Sequence, residues 1–202
     1  MFTIAQYLTS QLIKNQIIEQ EDQEVYSYGL QLVLSSMFIT VFIVIIGFVL
    51  NKGIEAIVFL MALAGLRHYA GGYHANAYEK CFLLSCSCFI ATVGMIWIQN
   101  QYQLSYSLIV ISLVAMLYLF KVGSLNSIKN PKTDEEMAYR SKRTRLLAVL
   151  YSLISCFLLA SGKYVNIGTI IVCTQVYTAL AVWIIEYEKG KENEKNNFKS
   201  SS

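Results

Sequence analysis

The chain reads as an all-α, polytopic transmembrane helical bundle of about six membrane segments, preceded by a short N-terminal helix on the membrane surface. Three observations predict this. Hydrophobic residues make up 55% of the 202 residues and the mean hydropathy is +0.48, more apolar than an ordinary soluble domain. Charged residues amount to 14% and gather in a few stretches, leaving long, nearly uncharged runs between them. A single proline and no low-complexity linker favour one integral membrane domain over residues 1–202.

Residues 1–28 form the first element. Ile4, Leu8 and Leu12 recur every four residues, the spacing of one helical face, so a short amphipathic helix at the interface is expected. Lys14 is the only basic residue in this stretch and no compact apolar core precedes small residues, so a secretory signal is not expected. The acids Glu19, Glu21, Asp22 and Glu24 close the helix.

Six apolar segments follow at 29–50, 54–66, 82–98, 104–122, 145–162 and 165–185. The second is short. It has about 13 residues before Arg67, against the ~20 that cross a bilayer, so it either re-enters or continues through His68 to Ala70. If all six cross and the N-terminus is inside, Lys52 and Lys163 are the only basic residues left outside. The positive-inside rule then puts both termini, the segment 67–81, the loop 121–145 and the tail 186–202 in the cytoplasm.

In the loop 121–145, Pro131 stops the preceding element. Thr133 stands three residues before Glu136, a capping-box spacing that starts a helix running into the fifth span. Lys129, Lys132, Arg140 and Arg143 make this region basic. They can anchor the chain on anionic lipid or attract an acidic peptide segment.

The five cysteines, Cys81, Cys86, Cys88, Cys156 and Cys173, fall in or beside spans, so free thiols are expected rather than a disulfide framework. No CxxC pair supports a zinc site. The segment RHYAGGYHANAYEKC, 67–81, interrupts the apolar runs and sets His74 seven residues before Cys81. A thiol is a strong nucleophile as thiolate, and an imidazole can take its proton, so the pair has the parts for acyl transfer. On one straight helix they stand about 10.5 Å apart along the axis, at ~1.5 Å per residue, too far for proton transfer. The chain must bend, and Gly71-Gly72 permits it. Asn76 and Glu79 then suit a helix start, with Cys81 in the second turn near the positive helix end and beside Lys80, both favouring thiolate. Arg67 can stabilise an oxyanion or anchor the end of a span. Glu79 can orient His74. His68 competes with His74 as base, or joins it at a metal, although no third ligand is evident. Cys86 and Cys88 suit apolar packing deeper in the third span.

The pattern R-x3-G-G-x-H-A-x5-C, carried by Arg67, Gly71, Gly72, His74, Ala75 and Cys81, resembles the accessory gene regulator B family. Tyr28-Gly29 at the first span, six apolar segments and Asn130-Pro131 in a basic loop extend the likeness over most of the chain. The resemblance implies a membrane cysteine endopeptidase of Gram-positive quorum sensing with His74 and Cys81 as its catalytic pair, acting on a short AgrD-like propeptide. It implies that Cys81 attacks the bond behind the signal sequence, the C-terminal tail leaves, and a peptide cysteine closes a thiolactone on the acyl-enzyme. A homodimer is implied too, while neither a metal, another cofactor nor nucleic acid is expected. The competing classes are a peptide transporter or export channel, whose polar segment lines a pathway, and a structural membrane adaptor.

Overall fold

The computed structural model describes residues 2–70, 78–124 and 133–200, with side chains described throughout except at 2, 32, 78–81 and 188–200. Seven α-helices run in order: α1 (Phe2–Lys14), α2 (Gln23–Val49), α3 (Gly53–Ala70), α4 (Tyr78–Tyr102), α5 (Ser105–Val122), α6 (Asp134–Ser161) and α7 (Val165–Ser200). A 3-10 turn at Gln20–Asp22 leads into α2, and no strand occurs among the described residues. The helices α2 to α7 give six segments long and apolar enough to cross a bilayer. The chain is a multi-pass membrane protein.

Of the two courses open to the second apolar segment, α3 takes the longer: it runs through Arg67 and His68 to Ala70. Eighteen helical residues at ~1.5 Å each approach the thickness of a bilayer core. The helix foreseen from the Thr133 signal is present. The Thr133 hydroxyl accepts from the Glu136 amide at 3.4 Å and α6 continues unbroken to Ser161. Beyond the sixth span α7 continues to Ser200, so residues 186–200 of the expected tail are helical.

The chain divides into two compact units, Met1–Gly53 with Ala75–Ser87, and Ile54–His74 with Cys88–Ser202. In the first, α1 packs along α2. The expected short helix forms; Ala5 and Thr9 are fully buried, while Ile4, Tyr7 and Leu8 are exposed. Small side chains one turn apart let two helix backbones approach closely, and larger ones would hold them off. Near the start of α4, Phe82 packs on two rings of α2, with centroids 5.5 Å from Phe38 and 5.0 Å from Phe42.

In the second unit α5, α6 and α7 pack on one another, and α7 is the most enclosed of the spans. The buried stripe of α6 is Thr144, Ala148, Ser152, Ser155 and Leu159, while Leu146, Leu150, Leu153 and Phe157 are exposed. Bulk facing outward and small residues facing inward is the arrangement expected where lipid is the solvent and close packing drives association. At the centre Ser112 donates to Gln175 Oε1 at 2.8 Å, and Gln175 Nε2 donates to Ser152 at 3.0 Å and to the Ala148 carbonyl at 2.9 Å. Ser155 lies 3.1 Å from Ser112. These side chains are buried, so each bond replaces one that lipid cannot offer. At the end of α5, Gly123 adopts φ +71°, where a Cβ would come within 3.0 Å of Ser141 Oγ; that hydroxyl accepts from the Ser124 amide at 3.1 Å.

Candidate functional site

The helix α3 ends at Ala70 and α4 opens at Tyr78. Gly71, Gly72 and His74 lie outside the described residues, as do Lys129 and Lys132 in the loop before α6. Cys81 is the fourth residue of α4. It therefore closes the first helical turn, slightly nearer the positive end than the second turn expected from Asn76. Glu79 is the second residue of the same helix, and the side chains of both residues lie outside the described set. The neighbouring Phe82, held against Phe38 and Phe42 in the first unit, fixes this helical turn on α2.

The other end of the segment belongs to the second unit. Ala70, the last residue of α3, is fully buried in an apolar cluster with Leu119, Ala148 and Val182, which brings α3 to the α5, α6 and α7 core. Arg67 is half-buried in the last turn of α3. The ring of His68 is exposed and packs edge-on to Tyr69, with centroids 4.8 Å apart. Its backbone carbonyl accepts a hydrogen bond from the guanidinium of Arg140.

That bond bears on the basic residues predicted to meet a peptide. Arg140 spends part of its donor fork on α3, 72 residues away in sequence. Arg143 is exposed, donates from Nε to the Tyr139 hydroxyl at 3.1 Å and sits over that ring at 5.1 Å. Arg145 lies over Phe120 at 5.7 Å. The cations of α6 thus lean on aromatic rings and a helix end, leaving other faces of Arg143 to solvent.

Cys86, Cys88, Cys156 and Cys173 are free thiols, as the sequence predicts for cysteines within spans. Cys86 is buried and Cys88 half-buried, consistent with packing roles. Among the described residues no group of three His, Cys, Asp or Glu is placed to hold a metal ion.

Sequence reasoning missed two contacts that organise this region. One is the Arg140 bond to His68. The other is Tyr151 on α6, whose hydroxyl donates to the Ala62 carbonyl of α3 at 3.3 Å. Nothing local to either residue announces a partner so far along the chain. Gln175, also missed, had a visible signal as an amide within an apolar run, since such a group requires partners in a membrane.

The model of the family described as accessory gene regulator B matches residues 4–179. An AgrB-like protein of Clostridium perfringens (strain SM101 / Type A) is 26% identical over 156 residues, which cover 74% of this chain and 72% of that protein. A second AgrB-like protein, from Clostridium perfringens (strain 13 / Type A), is 26% identical over 133 residues, 63% of this chain and 62% of its own. No solved structure matches the chain. With a match from α1 into α7 and a six-span helical architecture, the chain belongs to the accessory gene regulator B family.

Proposed function

We propose that this protein is a membrane cysteine endopeptidase that removes the C-terminal tail of an AgrD-like quorum-sensing propeptide and promotes thiolactone closure. The observation that carries the proposal is the site of Cys81 in the first turn of α4, within a motif that supplies His74 in a chain of this family. The first-turn amides of a helix and its dipole favour an anion, so a cysteine there is biased toward thiolate.

In this mechanism His74 takes the Cys81 proton and the sulfur attacks the carbonyl carbon of the scissile peptide bond. The carbon–nitrogen bond breaks, the imidazolium returns its proton to the leaving amine, and the tail departs, leaving a thioester on Cys81. A cysteine thiolate within the peptide then attacks that carbonyl, expels the Cys81 thiolate and closes the ring. One thioester replaces another, so the exchange is nearly neutral in energy and excluding water decides between ring closure and hydrolysis. Arg67 in the last turn of α3 supplies positive charge for the oxyanion, Gly71 and Gly72 the bend between the partners, and Glu79 an orienting carboxylate.

The distribution of basic residues supports an active segment, both chain ends and the α5–α6 connection in the cytoplasm. On that side Lys129, Lys132 and Arg143 attract an acidic tail. Co-expression with the cognate propeptide tests the reading: Cys81→Ser and His74→Ala should each abolish tail release, with a thioester adduct on Cys81 in the wild type. Tail release surviving in both variants sinks it, and peptide movement without cleavage indicates an export channel.

A further inference from the structure

We propose that the groove between α5 and α7 is a binding site for a phospholipid with a primary-amine headgroup, phosphatidylethanolamine, whose acyl chain lies along the groove and whose ammonium meets Glu186. Both helices belong to the second unit, and both are long and apolar enough to cross a bilayer. The groove holds about 400 Å³ between them, within the range of small-molecule sites. From Val110 to Tyr118 it runs more than two helical turns, about 12 Å at ~1.5 Å per residue. Ala115 and Ala179 form its floor, while Val110, Val114, Leu180 and Trp183 are exposed and form its rims. Helices associate in a membrane through small residues on the facing stripes, so branched and aromatic rims hold another helix backbone off. A slim, flexible acyl chain fits between them.

The end of the groove supplies the headgroup contacts. Glu186 lies in the last turn of the membrane segment Val165–Tyr187, and its Oε2 accepts from the Tyr118 hydroxyl at 2.9 Å. Tyr118 also lines the groove, so the carboxylate stands at its mouth. A carboxylate offers about four acceptor positions, of which this neutral hydroxyl takes one. At the margin of the hydrocarbon such a group favours a cationic partner. A primary ammonium brings N–H donors, whereas a quaternary choline brings none. Trp183 stacks on Tyr187 with centroids 5.9 Å and planes 18° apart. Rings of this kind sit at headgroup level, and their faces attract an ammonium. Lys121, exposed in the last turn of α5, carries the charge to meet the lipid phosphate.

Fluorescence quenching by brominated acyl chains tests this on the full chain. Trp97→Phe leaves Trp183 as its sole tryptophan. That protein, in phosphatidylcholine vesicles, is titrated with phosphatidylethanolamine, phosphatidylcholine or phosphatidylglycerol carrying identical brominated chains. Half-maximal quenching should need about two- to fivefold less phosphatidylethanolamine than either other lipid, the scale of one exposed carboxylate–ammonium contact. Glu186→Gln should abolish that preference. Val114→Phe, which narrows the groove from an exposed rim, should abolish it with Glu186 intact. Trp183→Phe, which reports from Trp97 instead, should show no preference. Equal quenching by the three lipids overturns the proposal, because the groove then takes bulk chains without choosing a headgroup. A preference for phosphatidylglycerol overturns it in favour of the basic residues as the lipid contact. A preference that survives Glu186→Gln or Val114→Phe removes the carboxylate or the groove from the site. Trp183 that no brominated lipid quenches, in a chain that cross-links to a second copy, means that protein and not lipid covers the groove.

Discussion

The α5–α6–α7 core and the helix α3 are held in different ways. The three core helices share small inward residues and a closed set of buried hydrogen bonds among Ser112, Ser152, Ser155 and Gln175. Along α3 long side chains of α6 reach backbone carbonyls, Tyr151 to Ala62 and Arg140 to His68, in addition to apolar burial at Phe59, Leu66 and Ala70. Direct packing makes a scaffold that fails as a unit. Tethering by side chains makes an element whose position can be changed without unfolding its support, which suits the helix that leads to the proposed catalytic segment.

The largest expected effect lies in the core. Gln175→Leu removes three hydrogen bonds, to Ser112, Ser152 and the Ala148 carbonyl. Intramembrane hydrogen bonds contribute less than their vacuum strength, so the loss is about 2 kcal/mol. Unfolding of the detergent-solubilised chain by added dodecyl sulfate measures it. Tail release per folded molecule should change little, and a severe loss of activity without destabilisation would end the distinction between scaffold and tethered helix.

The same difference explains what the sequence disclosed. Spans are legible because length and apolarity are local, and the Thr133 cap is legible because hydroxyl and amide stand three residues apart. The proposed site is legible as a motif, since glycine, histidine and cysteine carry their chemistry in their types. The length of α3 was undecidable because Arg67 and His68 look like the end of a membrane segment, whereas the helix continues to Ala70 and Arg140, far along the chain, caps it. On α1 the four-residue spacing of Ile4, Leu8 and Leu12 pointed to a helix with one apolar face, and a different face packs on α2. Ala5 and Thr9 turn inward because small residues suit close approach to α2.

A middle-sized effect is expected at the tether itself. Tyr151→Phe keeps the ring and deletes one 3.3 Å hydrogen bond, to a carbonyl that is already part of the α3 ladder. Stability should fall by less than about 1 kcal/mol. Tail release should fall by about two- to fivefold, because a small displacement of a catalytic support costs rate before it costs folding. If stability and rate fall in the reverse proportion, α3 is part of the scaffold and the two regions are one.

The smallest effect discriminates most finely. Gly65 faces Tyr151 so closely that an added Cβ would stand 2.7 Å from the hydroxyl oxygen and 3.9 Å from the ring carbon that bears it. Alanine also suits a helix interior better than glycine by up to about 1 kcal/mol. In the wild type Gly65→Ala therefore sets a propensity gain against a displaced hydroxyl, so the net stability change should be near zero while tail release declines slightly. In a Tyr151→Phe background the oxygen is gone and the nearest remaining atom is at an ordinary contact distance, so the same substitution should stabilise and leave the rate untouched. A double-mutant cycle measures that sign change. Equal effects in both backgrounds would mean that the Tyr151 hydroxyl does not hold α3, and its position would then rest on the Arg140 bond and its buried apolar face.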